Sequence, residues 1–341
     1  MKHVTIKDVA KKLNVSISSV SRALNNKPDI KKETRELILK TAEDMGYTPN
    51  PIAKHLSERK SYIIGAVVPE LMSEYFSQVV IALQDFLSSN GYQLIVMHSD
   101  ENPELELKNV KTLIRNMVDG LIIAPVVGNM NKSFYLEKQK QDFPIVFMSR
   151  VSSSYPASKV IFNNTKWSFF ATEHLIRQNY KKIYHLSGYK GMSVTKERVY
   201  GFEKALKKHK IPKERYKIIE TGLNAEEGME AIEDLIFNHD LPDAFFCVND
   251  MVALGAIKKL KENGYKVPED VAFIGFTETL MAELVTPQLS SVKQPTYKMA
   301  ETAGKLLLEI INDNTTEVKT VVLNGELNIR NSSINPKSNI L

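Results

Sequence analysis

Residues 4–26 read VTIKDVAKKLNVSISSVSRALNN, and this segment decides the fold of the N-terminal part of the chain. Apolar residues recur in its first half at helical spacing, at Ile6, Val9, Ala10 and Leu13. Thr5 followed three residues later by Asp8 predicts the start of this helix, and Asn14 its end. Ser16 predicts a second helix start, and that helix runs to about Asn25. Two helices joined by about three residues form a helix-turn-helix.

A third helix and a linker complete the first 60 residues. Periodic apolar residues predict a helix over residues 32–45 that ends at Gly46, although Lys31 stands where a capping hydroxyl is expected. Residues 47–60 contain two prolines and one short, weakly amphipathic stretch. Such a stretch has too little apolar surface to form a stable helix alone. We therefore expect the linker to fold only against another surface.

After Ser61 the pattern changes, and short apolar runs alternate with helical periods. This alternation is typical of a parallel sheet built from βαβ units. The predicted strands are 62–68, 92–97, 120–124, 145–148, 159–162, 183–186, 216–219, 244–248 and 271–275. Predicted helices between them include 74–89, 167–178 and 250–263. So many strands exceed one doubly wound sheet, so we expect two lobes with a ligand cleft at the carboxyl ends of their strands.

The positive charge is concentrated at one end of the chain. Residues 1–60 contain 13 Lys and Arg against 7 Asp and Glu, a net of +6, and the remainder has a net of −1. This distribution indicates a polyanionic partner, although a solvated basic surface has the same composition. Apolar stretches are shorter than the ~20 residues of a membrane span. The N-terminus has no apolar signal core, which predicts a cytoplasmic protein. Cys247, the single cysteine, is expected in the core.

Several motifs resemble the lactose and galactose repressor family. In the first 50 residues they are VTIKDVA (4–10), VSISSVSRALN (15–25) and GYTPN (46–50). In the remainder they are VVP (67–69), ERVYGF (197–202), VNDMVALG (248–255) and PQLSSV (287–292). These motifs occur in the family's order, head first and core afterwards.

The resemblance implies a fold and its divisions. The expected fold class is an N-terminal all-α helix-turn-helix head plus hinge helix, followed by an α/β two-lobed periplasmic-binding-protein-like core with parallel sheets. The implied domains are 1–46 for the DNA-binding head, 47–60 for the hinge, and 61–341 for the effector-binding and dimerisation core. Within the core, the N-terminal lobe takes about 61–161 and 293–322, and the C-terminal lobe about 162–292 and 323–341.

The resemblance also implies that the second helix enters the major groove of DNA. By the family pattern, the residues facing the base edges are Ile17, Ser18 and Arg22. An arginine can donate two hydrogen bonds to guanine, a serine can pair with several bases, and an isoleucine can contact a thymine methyl. Contacts to the DNA backbone are implied at Thr5, Ser16, Ser21, Asn25 and Asn50. Ser16 is equally well a plain helix cap, and the alternative for Arg22 is a surface salt bridge.

Residues 50–57 resemble the family's hinge helix, which orders when two subunits lie side by side over the minor groove. Ala53 permits close approach to the DNA, and Lys54 supplies positive charge. Leu56 from each subunit can insert between base steps and kink the duplex. Packing of Leu56 against the core is the alternative.

In the core, the resemblance implies that Arg198 and Asp250 hold an effector in the cleft. An arginine fork and a carboxylate suit vicinal hydroxyls because each offers paired hydrogen bonds. An ordinary ion pair between the lobes is the alternative, and Asn249 is expected to hold a loop. Trp167 either stacks on a sugar or packs within a lobe. Further lining positions are Phe76, Ser149, Arg150, Phe162 and Asn163.

The charges expected in the cleft bear on the class of ligand. Arg150, Arg198 and Lys166 against the single carboxylate of Asp250 favour a polar or anionic ligand such as a sugar acid or phosphosugar. If Arg150 instead faces solvent or pairs with Glu278, a neutral sugar fits as well. A sugar or sugar derivative is therefore the expected effector.

The competing class of protein is an enzyme, and the sequence contains none of the common enzyme motifs that would support it. The sequence has no phosphate-binding glycine loop, no nucleophile elbow and no histidine pair at metal-ligand spacing. The resemblance implies a ligand-responsive transcriptional regulator, expected to be a repressor, that binds a palindromic operator as a homodimer, without cofactor or membrane. The chain ends soon after Ile334 without a leucine-heptad tail, which favours a dimer over a tetramer. The alternative is a cytoplasmic two-lobed α/β enzyme acting on a sugar or nucleotide, with an accessory DNA-binding head.

Overall fold

The computed structural model describes residues 4–47, 60–313 and 317–337. The chain divides into two compact units, Met1–Ser61 and Tyr62–Leu341. Among the described residues, no helix combines the length and apolar character that crossing a bilayer requires.

The described residues of the first unit form three short helices: α1 (Ile6–Leu13), α2 (Ile17–Leu24) and α3 (Lys32–Asp44). Asp8 Oδ2 accepts hydrogen bonds from Thr5 N at 2.9 Å and from Thr5 Oγ1 at 2.7 Å at the start of α1. Ser16 Oγ accepts from Ser19 N at 3.0 Å at the start of α2, whereas Lys31 provides no cap to α3. The three helices share one small apolar core of Val9, Ala10, Val20, Ala23, Ile38 and Ala42. The predicted helix-turn-helix is confirmed.

The second unit contains two six-stranded sheets. The first sheet has the order β11-β5-β4-β3-β1-β2, and its described strand pairs are parallel. Its strands are β1 (Ile63–Val68), β2 (Gln93–His98), β3 (Gly120–Ile123), β4 (Ile145–Met148), β5 (Lys159–Phe162) and β11 (Thr320–Leu323). Its accompanying helices are α4 (Glu74–Ser89), α5 (Pro103–Arg115), α6 (Lys132–Lys140) and α12 (Thr296–Asp313).

The second sheet has the order β12-β10-β9-β8-β6-β7. Its strands are β6 (Ile183–Ser187), β7 (Tyr216–Glu220), β8 (Ala244–Cys247), β9 (Ala272–Thr277), β10 (Ser290–Lys293) and β12 (Glu326–Asn328). Its helices are α7 (Asn164–Arg177), α8 (Ser193–Lys208), α9 (Ala225–Phe237), α10 (Asp250–Glu262) and α11 (Met281–Leu284). Its described strand pairs are parallel except that of β10 with β12, which is antiparallel.

The chain passes between the two sheets three times, after β5, after β10 and between β11 and β12. Each sheet with its helices is called a lobe below, the N-terminal lobe around β1–β5 and the C-terminal lobe around β6–β10. The largest apolar cluster includes residues of both lobes. Phe162 and Phe276 join them edge to face, with ring centroids 5.8 Å apart. The two-lobed α/β core with parallel sheets is thus confirmed.

Element boundaries differ from the sequence predictions in two ways. The helix predicted at 167–178 begins earlier, at Asn164, because Asn163 Oδ1 accepts from Lys166 N at 3.1 Å and caps it. Strands β10, β11 and β12 were absent from the prediction. β10 (SSVK) and β12 (ELN) are mainly polar, so neither carries an apolar run. β11 (TVVL) is only four residues long and half exposed. Cys247 is fully buried as expected.

Candidate functional site

Helix α2 presents one polar face to solvent. Val20 and Ala23 are buried in the head core, while Ile17, Ser18 and Arg22 are exposed. Ile17 keeps 46% of its surface accessible. An exposed isoleucine at the first position of a helix is available for a thymine methyl or another apolar contact. The three residues predicted for the major groove therefore share one accessible helix face.

The short polar residues predicted to contact phosphates also have local roles. Ser16 caps α2, as the alternative interpretation held, and its Oγ lies 2.7 Å from Ser18 Oγ. Thr5 bonds to Asp8 in α1, and Asn25 Nδ2 donates weakly to Ser21 Oγ at 3.5 Å. Thr5 and Ser16 lie at helix N-termini, where backbone N–H groups favour an anion. Ser21 and Asn25 lie towards the C-terminal end of α2.

Arg22 forms the salt bridge that was its alternative interpretation. Its Nη1 lies 2.8 Å from Oδ2 of Asp29, with side-chain exposures of 59% and 51%. An exposed pair of this kind exchanges readily with other partners. The four predicted contacts of the linker, Asn50, Ala53, Lys54 and Leu56, lie outside the described residues.

In the core, Arg198 is nearly buried and joins the start of α7 to the residue that follows β8. Its Nε donates to Asn164 Oδ1 at 3.0 Å, and its Nη1 donates to the carbonyl oxygen of Val248. The guanidinium carbon lies 3.8 Å from the centroid of the Phe276 ring. Burial lowers the pKa of Arg198 to about 9. Asn164 also donates to Glu197 Oε2 at 2.9 Å, and burial raises the pKa of that carboxyl.

Asp250 has no exposed surface, and both its oxygens accept hydrogen bonds. Oδ2 accepts from Thr279 N at 2.6 Å and from Thr279 Oγ1 at 3.2 Å, and Oδ1 accepts from Ser291 Oγ at 2.6 Å. Burial raises its pKa to about 6. In the described core Arg198 and Asp250 form no ion pair with each other, so that alternative was wrong. Asn249 holds its loop as expected, donating to Leu223 O at 2.7 Å.

Arg150 lies on the N-terminal lobe, and its side chain is 9% exposed. It pairs with Glu101 through Nη1, lies 3.8 Å from Glu70 through Nη2, and stacks 5.1 Å from the centroid of Phe76. Both expected alternatives for Arg150, solvent or Glu278, were wrong, because two nearer carboxylates surround it. Glu278 instead accepts from Arg330 at 2.5 Å within the C-terminal lobe.

The remaining residues predicted for the cleft differ in burial and in local role. Ser149 adopts a left-handed conformation at φ 65° immediately before Arg150, and Asn163 caps α7. Trp167 packs against the largest apolar cluster and against Phe170, with ring centroids 5.6 Å apart. Lys166 is exposed and donates to Asn324 at 3.3 Å, so it does not join the arginines.

Both lobes line a cavity of ≈ 280 Å³. The N-terminal lobe contributes Val127, Arg150 and Tyr155, and the C-terminal lobe contributes Ser193, Lys196 and Glu197. Across the cleft, Leu280 N donates to Glu74 Oε2 at 2.8 Å. A Cβ atom on Gly191 would lie 2.7 Å from Val127 Cγ1, so the lobes also approach closely at this glycine.

Comparison with known families identifies the chain. Residues 5–50 match the family described as bacterial regulatory proteins, lacI family, and residues 172–333 match the periplasmic binding protein-like domain. Catabolite control protein A of Priestia megaterium is 31% identical over 332 residues, covering 97% of this chain and 99% of the relative. The chain belongs to the LacI family.

Other LacI-family proteins show the same extent of similarity. The probable HTH-type transcriptional repressor ExuR of Bacillus subtilis (strain 168) is 32% identical over 333 residues, covering 96% of this chain and 98% of the relative. A crystal structure of the Lac repressor dimer bound to operator and the anti-inducer ONPF superposes with a TM-score of 0.88 at 25% identity. That match covers 98% of this chain and 100% of the other. This LacI-family protein is a DNA-binding transcriptional regulator.

Sequence reasoning about this LacI-family regulator missed the carboxylates that surround Arg150 and the cavity residues on α8. Glu70 and Glu101 follow β1 and β2, and Ser193 and Lys196 open α8. Their place at the carboxyl ends of strands was the available signal, since ligands of such sheets bind there.

Proposed function

We propose that this regulator binds a palindromic operator as a homodimer, and that a small molecule between the core lobes controls its affinity for DNA. Two solved structures of relatives support the proposal, the Lac repressor dimer bound to operator and anti-inducer and a CelR–cellobiose complex. The latter superposes with a TM-score of 0.73 at 26% identity and covers 97% of this chain and 100% of the other. The regulator would act in the cytoplasm, where its DNA target lies.

The observation that carries the proposal is a pair of unsatisfied polar atoms at the cleft. Ser193 Oγ and Glu101 Oε2 are buried without a hydrogen-bond partner among the described residues. Ser193 lines the cavity, and Glu101 holds Arg150, which lines it too. Buried polar atoms are rarely left unpaired, so a ligand hydroxyl group is a suitable partner for each.

Charge balance in the cleft favours an uncharged polyhydroxyl ligand over an acidic one. Arg150 is neutralised by Glu101 and Glu70. Lys196 and Glu197 are the remaining charged residues that line the cavity. When Glu70 and Glu101 are counted with the lining residues, three carboxylates stand against two cations around the cavity. A ligand phosphate or carboxylate would add to this excess of negative charge, so we propose a neutral sugar or sugar derivative.

Each predicted cleft residue keeps a proposed role. Phe76, Phe162 and Arg198 form apolar and stacking walls, while Ser149 and Asn163 position neighbouring loops. Asp250 acts through Thr279, because both of its carboxylate oxygens are already engaged. We assign the cleft a binding role and no chemical step.

Ligand control follows from population shift. A ligand that contacts both lobes stabilises one lobe arrangement, and that preference biases DNA affinity if the hinges of the two subunits respond to it. In the head we propose base contacts by Ile17, Ser18 and Arg22, backbone contacts by Thr5, Ser16, Ser21, Asn25 and Asn50, and minor-groove contacts by Ala53, Lys54 and Leu56.

The test is a thermal-shift screen of the full-length protein against neutral sugars, sugar acids and phosphosugars. Calorimetry and DNA binding then follow for each ligand that raises the melting temperature. We expect a neutral sugar to bind and to change operator affinity. Arg150→Gln leaves Glu70 and Glu101 without their cation, so it should weaken an acidic analogue at least as much as the neutral sugar. Lys204→Gln, an exposed change on α8, is the control. Tighter binding of the acidic analogue than of the neutral sugar to the wild-type protein would contradict the assigned charge balance.

A further inference from the structure

The loop between α2 and α3 places one carboxylate against α2, the helix proposed to read the bases. Asp29 Oδ2 accepts a hydrogen bond from Arg22 Nη1 at 2.8 Å. Both side chains are more than half exposed, so the pair contributes little to folding stability. Folding stability therefore does not explain why Asp29 lies beside the face of α2 that is proposed to contact the bases.

The loop that carries Asp29 is held in place independently of that contact. Lys27 N donates to Arg22 O at 3.0 Å. Arg35 Nη2 donates to Lys27 O at 2.6 Å and, more weakly, to Ile30 O at 3.4 Å. Ile30 packs against the head core. Asp29 therefore stands on a backbone that is fixed on both sides, and its carboxylate restrains a side chain that would otherwise be free.

We propose that Asp29 is a positioning residue that sets DNA specificity by orienting the guanidinium of Arg22. One N–H of Nη1 is engaged by Asp29, which leaves the Nε and Nη2 groups of Arg22 to donate to a base edge. The proposal rests on the proposed base readout by Arg22.

Two physical effects give Asp29 this role. Restraining Arg22 before binding removes part of the entropy cost of ordering a long side chain at an interface. The carboxylate also repels phosphates within a Debye length, which disfavours a shift of Arg22 from the base to the DNA backbone. Asp29 thus raises discrimination between base pairs and lowers the non-specific affinity for DNA.

The experiment compares base preferences of full-length proteins by selection from a pool of random duplexes followed by sequencing. The variants are Arg22→Ala, Asp29→Asn and Asp29→Glu, with Glu43→Gln as the control because it removes one exposed carboxylate from α3 of the same head. Thermal melts confirm that each variant is folded. Binding of a non-selected duplex across salt concentrations gives the non-specific affinity.

We expect Asp29→Asn to lose preference at the same base pair of each half-site as Arg22→Ala, by about 2- to 12-fold, the cost of ordering one such side chain. Its non-specific affinity should be equal or higher, and Asp29→Glu should recover part of the preference. Glu43→Gln should leave the base preference unchanged.

Three outcomes would overturn the proposal. If Arg22→Ala relaxes one base pair and Asp29→Asn does not, the positioning role fails while the readout by Arg22 stands. An equal loss at every base pair would mean a general structural role for Asp29. If Arg22→Ala leaves every base preference intact, the proposed readout itself fails, and the positioning role with it.

Discussion

Arg22 and Arg198 lie in opposite surroundings. The Arg22 side chain is 59% exposed and pairs with one aspartate, whereas Arg198 is 6% exposed and contacts Asn164, Val248 and Phe276. In the head, a functional side chain can exchange its protein partner for DNA. In the cleft, buried polar groups hold loops, so function depends on the shape they maintain. Head variants should therefore change DNA binding alone, and cleft variants should change stability as well.

The largest expected effect tests the cleft side of this comparison. Asp250→Ala removes the charged acceptor of Thr279 and Ser291, and it should lower the free energy of unfolding of the core by about 3–5 kcal/mol. Urea denaturation followed by circular dichroism measures the loss. The control Asp234→Ala, on the exposed face of α9, should change it by less than about 0.5 kcal/mol. A loss for Asp250→Ala as small as that of the control would contradict the structural role assigned to buried polar groups in the cleft.

His185 makes the buried part of the C-terminal lobe sensitive to acid. It is fully buried, stacks on Phe246 with ring centroids 4.5 Å apart, and donates from Nδ1 to Phe246 O at 2.8 Å. Burial lowers its pKa to about 4, below the ordinary ~6.5. The unfolded state therefore binds more protons between these values, so this contribution to stability is present above pH 6.5 and is lost as the pH falls towards 4.

The expected size of the His185 contribution is about 3 kcal/mol at most. Asp250, whose pKa is raised to about 6, contributes with the opposite sign. Its protonated form is favoured in the folded state, so this contribution to stability is lost as the pH rises through the same window. The measurement is therefore the difference between wild type and His185→Phe in urea unfolding at pH 4.5 and pH 7. His98→Gln, an exposed histidine, is the control. A pH dependence that His185→Phe leaves unchanged would exclude this origin.

The head side of the comparison predicts a change in DNA binding without a change in stability. Arg22→Ala should weaken operator binding by about 1–3 kcal/mol and relax the preference at one base pair. Its unfolding free energy should stay within about 0.5 kcal/mol of wild type, because the lost salt bridge is exposed. Fluorescence anisotropy measures operator binding, and thermal melts measure stability. A matched loss of stability would remove the distinction between the two arginines.

The smallest expected effect concerns the contact between the lobes. Glu74→Ala removes the acceptor of Leu280 N and should shift the lobes towards an open arrangement by less than about 1 kcal/mol. Ligand affinity measured by calorimetry should fall about 2- to 5-fold, since both lobes line the cavity. Glu137→Ala on α6 is the control. An unchanged affinity would show that this hydrogen bond does not bias the lobes.

Short-range patterns accounted for most elements but not for three strands. The nine predicted strands lie within two residues of the observed ones, because most of them are buried apolar runs. Ser290 and Ser291 are polar yet have no exposed surface, since Ser290 Oγ donates to Arg330 O and Ser291 Oγ to Asp250. Their partners lie about 40 residues away along the chain, and no local pattern indicates such a pairing.

The sequence by itself determined the helix-turn-helix, because its caps and apolar spacing involve residues only three or four positions apart. It also determined the two-sheet α/β class and the exposed residues of α2. Only the tertiary structure decided which charges neutralise one another. Arg150 is surrounded by Glu101 and Glu70 rather than Glu278, and Asp250 faces Thr279 and Ser291 rather than open cleft. The reason is that Coulomb and hydrogen-bond partners are selected by distance in space, which the sheet order sets and sequence separation does not.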